Sequence, residues 1–131
     1  MKFLAILIIA TMPLTALARI GETKEQCDKR YGKLVIPALA SNGVEYLNYR
    51  VHGFAIGLHI FDSTCQKIKY NKEDEGVLAK SEIEALLSEN GADWQQISET
   101  EWKNQECSAK VWGKHLVIIS DAYQKRIDAK K

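Results

Sequence analysis

Residues 45–70, EYLNYRVHGFAIGLHIFDSTCQKIKY, decide the fold of this chain. Apolar and polar residues alternate along them with a period of two, which is typical of strands with one buried face. Turn-forming residues at 52–53 and 62–64 interrupt the alternation, so the strands should pair as an antiparallel meander. The predicted strands are Glu45–Val51, Phe54–Phe61 and Cys65–Tyr70.

The middle strand of this meander has two unequal faces. Its even-numbered residues are large and apolar, whereas Ala55, Gly57 and His59 alternate with them on the other side. A face that contains glycine suits a helix backbone packed closely against it. We therefore expect the first helix of the chain to lie on the Gly57 face.

The segments on either side of the meander predict helices and further strands. Thr23 and Gln26 have the spacing of a capping box, and Ser81 and Glu84 repeat it before a second helix. Trp112 and His115 flank a Gly-Lys turn, and Ser120 or Asp121 caps a terminal helix. The fold class is thus α+β, with a mainly antiparallel sheet (a three-stranded meander plus a C-terminal hairpin) and helices packed on one face.

Residues 1–18, MKFLAILIIATMPLTALA, have the pattern of a bacterial signal peptide. Lys2 is followed by a short apolar run and by an A-x-A cleavage signal at Ala16–Ala18. An uncleaved anchor is the alternative, although the run is short for a membrane span. We expect export to the periplasm or the medium, no stable membrane span after cleavage, and a single domain at 19–131.

The balance of charges argues against several partner classes. Removing residues 1–18 takes away only Lys2, which leaves 17 basic and 17 acidic residues. Nucleic-acid binding needs a basic excess that displaces counterions, so no nucleic-acid partner is expected. The basic C-terminal residues are interpreted as a solvated last helical turn.

Three cysteines remain in the exported part of the chain, and an oxidising compartment favours a disulfide. A helix lying on the meander could bring Cys27 to Cys65, so these two are the predicted pair. Cys65 is in phase with Lys67, on the more polar face, so the pairing requires a twist or bulge at the start of its strand. Cys107 shares a face with apolar residues and is expected to be a buried free thiol.

No recognised catalytic or metal-binding motif occurs in the sequence. His52, His59 and His115 lack the spacing of a metal site, and the three cysteines lack zinc-site spacing. Nucleophile elbows, phosphate-binding loops and calcium loops are also missing. We therefore predict no catalytic residue, no metal and no cofactor, and we lean against an enzyme.

Three tryptophans lie in the second half of the chain, and two of them are the candidate binding residues. Exposed tryptophan is favoured at binding surfaces, which directs attention to Trp102 and Trp112. The alternative is that the tryptophans complete the core of a small sheet, because a domain of this size needs large apolar residues. Both interpretations stay open at this point.

The chain resembles two groups of bacterial exported proteins. Part of it is similar to the domain of the small outer-membrane assembly lipoproteins, through Gly21/Thr23, Gly32-Lys33, Ile60-Phe61-Asp62 and Ile68-Lys69-Tyr70. It has no lipidated cysteine. Nearly all of it resembles short uncharacterised exported proteins with an S-x-E-I-x-x-L-L helix and a Trp-rich region, matched here by Glu82-Ile83, Leu86-Leu87 and Trp94.

Together these features predict a small exported domain of a bacterial envelope that acts by interaction with an envelope or protein partner rather than by catalysis. The alternative is a small periplasmic hydrolase or inhibitor whose site is assembled from dispersed residues. A cleft with converging carboxylates or a histidine would favour the enzyme. A flat apolar patch around the tryptophans would favour the binding domain.

Overall fold

The structure, a computed structural model, describes residues 19–32 and 34–130. The expected signal peptide at 1–18 lies outside the described residues. The helices are α1 (Lys24–Tyr31), α2 (Lys80–Glu89) and α3 (Asp121–Ala129). The strands are β1 (Leu39–Ser41), β2 (Val44–Val51), β3 (Phe54–Phe61), β4 (Thr64–Lys72), β5 (Gln95–Ser98), β6 (Glu101–Lys103), β7 (Cys107–Trp112) and β8 (His115–Ser120). No helix in the described part of the chain is long and apolar enough to cross a membrane.

All eight strands form one sheet, in the order β1-β2-β3-β4-β8-β7-β6-β5, and every neighbouring pair is antiparallel. The α+β class with a mainly antiparallel sheet is therefore confirmed. The sheet is larger than a three-stranded meander plus a hairpin, because β1, β5 and β6 extend it at both ends. β8 joins the two halves, since its register places Ile118 beside Ile68 of β4.

One face of the sheet carries the main hydrophobic core. Leu47, Ile56, Leu58, Ile68 and Ile118 point to this side, and each is at most 1% exposed. Two helices cover them: α1 contributes Cys27 and Tyr31, and α2 contributes Leu86 and Leu87. We call this side of the sheet the helix face.

The first helix thus packs on the face opposite to the one expected, and the Gly57 expectation is wrong. Burying the large side chains of β3 removes far more apolar surface from water than covering alanine and glycine would. The helices also do not share one face. α3 lies on the Gly57 side, where Tyr123 packs with Val44 and Ile119 in a second, smaller cluster.

The N-caps predicted from the sequence are correct for α1 and α3 and wrong for α2. The Thr23 capping box is present: the Gln26 N–H donates to Thr23 Oγ1 at 3.2 Å, and the Thr23 N–H donates to Gln26 Oε1 at 2.8 Å. Ser120 caps α3 by accepting from the Tyr123 N–H at 3.1 Å. The second helix, however, begins at Lys80, so the Ser81 cap was wrong.

The residue that satisfies the start of α2 is Glu82. Its carboxylate accepts from the Ala79 N–H at 2.7 Å, and alanine has no side-chain oxygen to complete a capping box. At the other end of α2, Asn90 is buried, and its amide donates to the Tyr70 hydroxyl and to the Leu86 carbonyl, each at 3.0 Å. The bond to Tyr70 connects the end of α2 to β4.

The structure contains free thiols at Cys27, Cys65 and Cys107, all of them buried, so the predicted Cys27–Cys65 disulfide is not formed in it. Burial raises the pKa of Cys27 to about 12 and that of Cys107 to about 11. It also raises the pKa of Cys65. Disulfide formation proceeds through a thiolate, which burial disfavours at all three positions.

Candidate functional site

The candidate site is the side of the sheet that carries Ala55, Gly57 and His59, which we call the open face. α3 covers only one end of it, through Tyr123 and its contact with Phe61 at a ring-centroid distance of 5.9 Å. The open face is therefore the larger unpacked surface among the described residues of the sheet.

A β-bulge between β3 and β4 decides which side chains reach the open face. His59 pairs with Lys67 and Ile60 pairs with Cys65, which leaves Gln66 as the extra residue. The bulge lets Cys65 enter the core while Lys67 points to the opposite side. For Cys65 to face the first helix, the sequence required a twist or bulge at the start of this strand, and this bulge is such an irregularity.

Three cross-strand rows run over the central strands of the open face. The residues that pair across β2, β3 and β4 are Tyr46, His59 and Lys67 in the first row, Asn48, Gly57 and Lys69 in the second, and Arg50, Ala55 and Asn71 in the third. Glycine and alanine lie between larger side chains in two of the rows, so the middle of the face is a shallow depression.

The charged side chains that the strands place on this face are mostly basic. They are Arg50, Lys67, Lys69, Lys103 and Lys110, with Glu101 as the acidic one. Lys103 pairs with Asp121 at 2.6 Å and Lys110 with Glu101 at 3.6 Å. Within the described ranges, no carboxylate lies at ion-pair distance from Arg50, Lys67 or Lys69.

The row Tyr46–His59–Lys67 contains two groups whose pKa values are lowered. Burial lowers the pKa of Lys67, and the neighbouring Lys69 ammonium lowers it further. Burial likewise lowers the pKa of His59 to about 4, with contributions from both lysines. His59 is therefore neutral at pH 7, with Nδ1 3.1 Å from the Tyr123 hydroxyl and its ring edge-on to Tyr46 at 4.6 Å.

Two grooves on the open face share Lys67. The larger, of about 360 Å³, is lined by residues of β4, β6, β7 and β8 and includes Trp112 and Lys110. The smaller, of about 210 Å³, runs along Tyr46, His59 and Lys69. Lys67 therefore lies where the two grooves meet, half-buried between them.

The two candidate tryptophans have different surroundings. Trp112 is 72% exposed at the end of β7, and Lys110 Nζ lies 5.6 Å from its ring centroid. Trp102 pairs with Ala109 in β7, is partly buried and packs against the main core. Both contribute to the lining of the larger groove, but only Trp112 offers a largely free ring.

The histidines are dispersed over the sheet. His52 is exposed in the β2–β3 turn, His59 lies on the open face beside Tyr123, and His115 lies at the start of β8. Between residues 19 and 130, Lys33 excepted, no group of three or more potential metal ligands comes together. The other groups with strongly shifted pKa values are buried thiols and phenols, which burial keeps protonated.

No protein-family model, curated protein or solved structure matches this chain.

The sequence indicated Trp102 and Trp112 as binding candidates, but it did not indicate the basic residues of the open face. Lys67 and Lys69 stand two positions apart in a strand, which already placed them on one face. What the sequence lacked was the pairing register, which brings Arg50 of β2 to the same face. The open face itself could not be anticipated, because the helix was expected to cover it.

Proposed function

We propose that the protein is an exported, non-enzymatic binding domain of a bacterial envelope that contacts a protein partner through its open face. The observation that carries the proposal is Trp112, a tryptophan 72% exposed at the rim of a groove of about 360 Å³. Large aromatic side chains beside a groove supply much of the binding energy at protein interfaces. The envelope location rests on the pattern of residues 1–18 and on the resemblance to exported proteins.

The two grooves that share Lys67 support binding more than hydrolysis. The side chains that line these two grooves are lysines, aromatic rings, aliphatic and small residues and amides, with Glu101 as the acidic one, and His59 is neutral at pH 7. A hydrolase would need a nucleophile or a pair of carboxylates aimed at one point. Glu101, the acidic side chain in the larger groove, is engaged with Lys110.

A site-specific photo-crosslinking experiment tests the proposal. A photoreactive phenylalanine is placed at position 112, and as a matched control at Ser88, which is exposed on α2 on the other side of the sheet. Irradiation of intact cells should give a discrete adduct with one envelope protein from position 112 and none from position 88. Equal labelling from both positions, or no adduct from position 112, would contradict the proposal.

A further inference from the structure

We infer that the segment of the partner that occupies the open face is an extended acidic stretch of polypeptide, with carboxylates on alternate residues that contact Lys67 and Lys69. The inference rests on the proposed function, because it identifies the chemistry of the partner at that same surface.

Within the part of the chain that the structure describes, Lys67 and Lys69 on the open face have no carboxylate at ion-pair distance. Six ion pairs occupy other basic residues of the described chain: Arg19–Glu89, Lys24–Glu45, Arg30–Glu22, Lys72–Glu82, Lys103–Asp121 and Lys110–Glu101. Lys67 and Lys69 lie side by side and repel each other, and Lys67 is also half-buried. A carboxylate placed between them would relieve the repulsion and restore favourable interactions to Lys67.

The spacing of Lys67 and Lys69 along β4 matches the repeat of an extended peptide. Residues two apart in a strand lie on one face and are separated by about 7 Å. An extended peptide that lies along β4 has the same repeat, so acidic residues at alternate positions reach both ammonium groups together. Gly57 lies beside Lys69 in the register, and its missing side chain leaves room for the backbone of such a segment.

The half-buried position of Lys67 favours a peptide over a membrane surface. Lys67 lies at the junction of two grooves, with Tyr123 of α3 covering one end of the face and the exposed Trp112 at another. A planar layer of anionic headgroups would meet these rim elements before it reached Lys67. A single extended chain is narrow enough to enter the grooves.

The probe is a capped peptide of sequence SETETETS, titrated into isotope-labelled protein and followed by NMR at low ionic strength. Its controls are SQTQTQTS, which has no charge, and STEEETTS, which has the same composition with contiguous glutamates. We expect the alternating glutamate peptide to shift amide signals of β3 and β4. It should bind about tenfold more tightly than the uncharged peptide, with the contiguous peptide between them.

Two matched double variants assign the contact. K67Q/K69Q should weaken binding of SETETETS by about tenfold, because both cationic contacts are lost. K29Q/K80Q removes the same charge from exposed positions on α1 and α2, and it should bind as the parent does. Binding that survives K67Q/K69Q, or an equal loss in the control, would overturn the inference. Equal affinity for the two glutamate peptides would overturn the extended geometry.

Two further outcomes separate this inference from the proposed function. Vesicles of phosphatidylglycerol and phosphatidylethanolamine that bind the protein through Lys67 and Lys69, while the peptide does not, would overturn it in favour of a lipid surface. The crosslink from position 112 is also measured in the K67Q/K69Q background. An adduct of undiminished yield would leave the binding domain in place and reject the acidic segment, whereas a lost adduct would support it.

Discussion

The two faces of the same sheet are built from alternate residues of the same strands, yet they differ in almost every physical property. On β3, Ile56 and Leu58 are 1% exposed beneath helices, while Gly57 and His59 lie between them on the side left open. The apolar contacts on the helix face stabilise the domain. The open face holds small residues, aromatic rings and two lysines, Lys67 and Lys69, that have no carboxylate at ion-pair distance among the described residues, and it is therefore the face available for binding.

The largest expected effect tests the helix face. Leu58→Ala should lower the free energy of unfolding by about 3–4 kcal/mol. The substitution removes the apolar contacts of a fully buried side chain and leaves a cavity that the surrounding side chains fill only in part. Urea denaturation followed by circular dichroism measures the change. His59→Ala at the next position, on the open face, is the matched control and should cost clearly less at pH 7. Equal losses would mean that the two faces do not divide stability and binding between them.

The tryptophans give the second test, and each represents one face. Trp102→Ala should cost about 2–3 kcal/mol, because the indole packs against the main core, although its partial exposure keeps the loss below that of a fully buried ring. Trp112→Ala should change stability by less than about 0.5 kcal/mol, as is usual for surface substitutions. Thermal melts of the two variants separate the cases. A Trp112 variant that melts far below the parent would remove the main support for a binding surface.

The sequence predicted the elements of this fold better than their assembly. The meander strands fall close to β2, β3 and β4, and the caps at Thr23 and Ser120 are correct, because strand alternation and capping are local properties. The choice of face for α1 failed. The glycine in β3 is a local signal, whereas the side that a helix covers depends on the total apolar area of several strands.

The site was predictable only in part, for a related reason. The exposure of Trp112 follows from its position at the end of a strand, beside a turn, and Trp112 was one of two candidates. Lys67, which lines the larger groove together with Trp112, comes from β4, and β8 lies between that strand and β7. Contacts of that kind depend on register across non-consecutive strands, which a single sequence does not specify.

The third test uses the dependence of stability on pH to measure the contribution of His59 on the open face. The pKa of His59 is about 4 in the folded protein, against an ordinary value of 6.5, because the ring is partly buried near Lys67 and Lys69. Below pH 6.5 the unfolded chain therefore binds the proton more tightly than the folded protein does. Stability should fall as the pH decreases from about 6.5 to 4, and it should be unaffected by this group above that window.

The size of this effect is limited by solvent. The ring is in contact with Tyr46 and Tyr123 but remains partly exposed, so the loss should be about 1–2 kcal/mol rather than the full value of the shift. His59→Gln should flatten the dependence of unfolding free energy on pH in that window. His52→Gln, at an exposed position in the β2–β3 turn, is the matched control, and the comparison is between the slopes of the two variants. A slope that survives His59→Gln would assign the acid sensitivity to other groups.

The smallest effect gives the sharpest distinction between the faces. Gly57→Ala adds a methyl group to the open face, where the nearest atom it would meet is Asn48 Oδ1 at 3.5 Å, an ordinary contact. Glycine within a strand is less stable than alanine by about 0.5–1 kcal/mol, because its backbone loses more freedom on folding. The substitution should therefore stabilise the domain by about that amount in urea denaturation.

The same substitution would do the opposite if a helix lay against Gly57. A helix packed closely on glycine leaves no room for a methyl group, and the resulting overpacking would cost about 1–3 kcal/mol. The sign of the change at Gly57 thus decides whether the open face is free in solution. A variant that is stabilised but binds the alternating glutamate peptide less well would also place the peptide backbone over Gly57, because the added methyl group would then occupy the space that the segment needs.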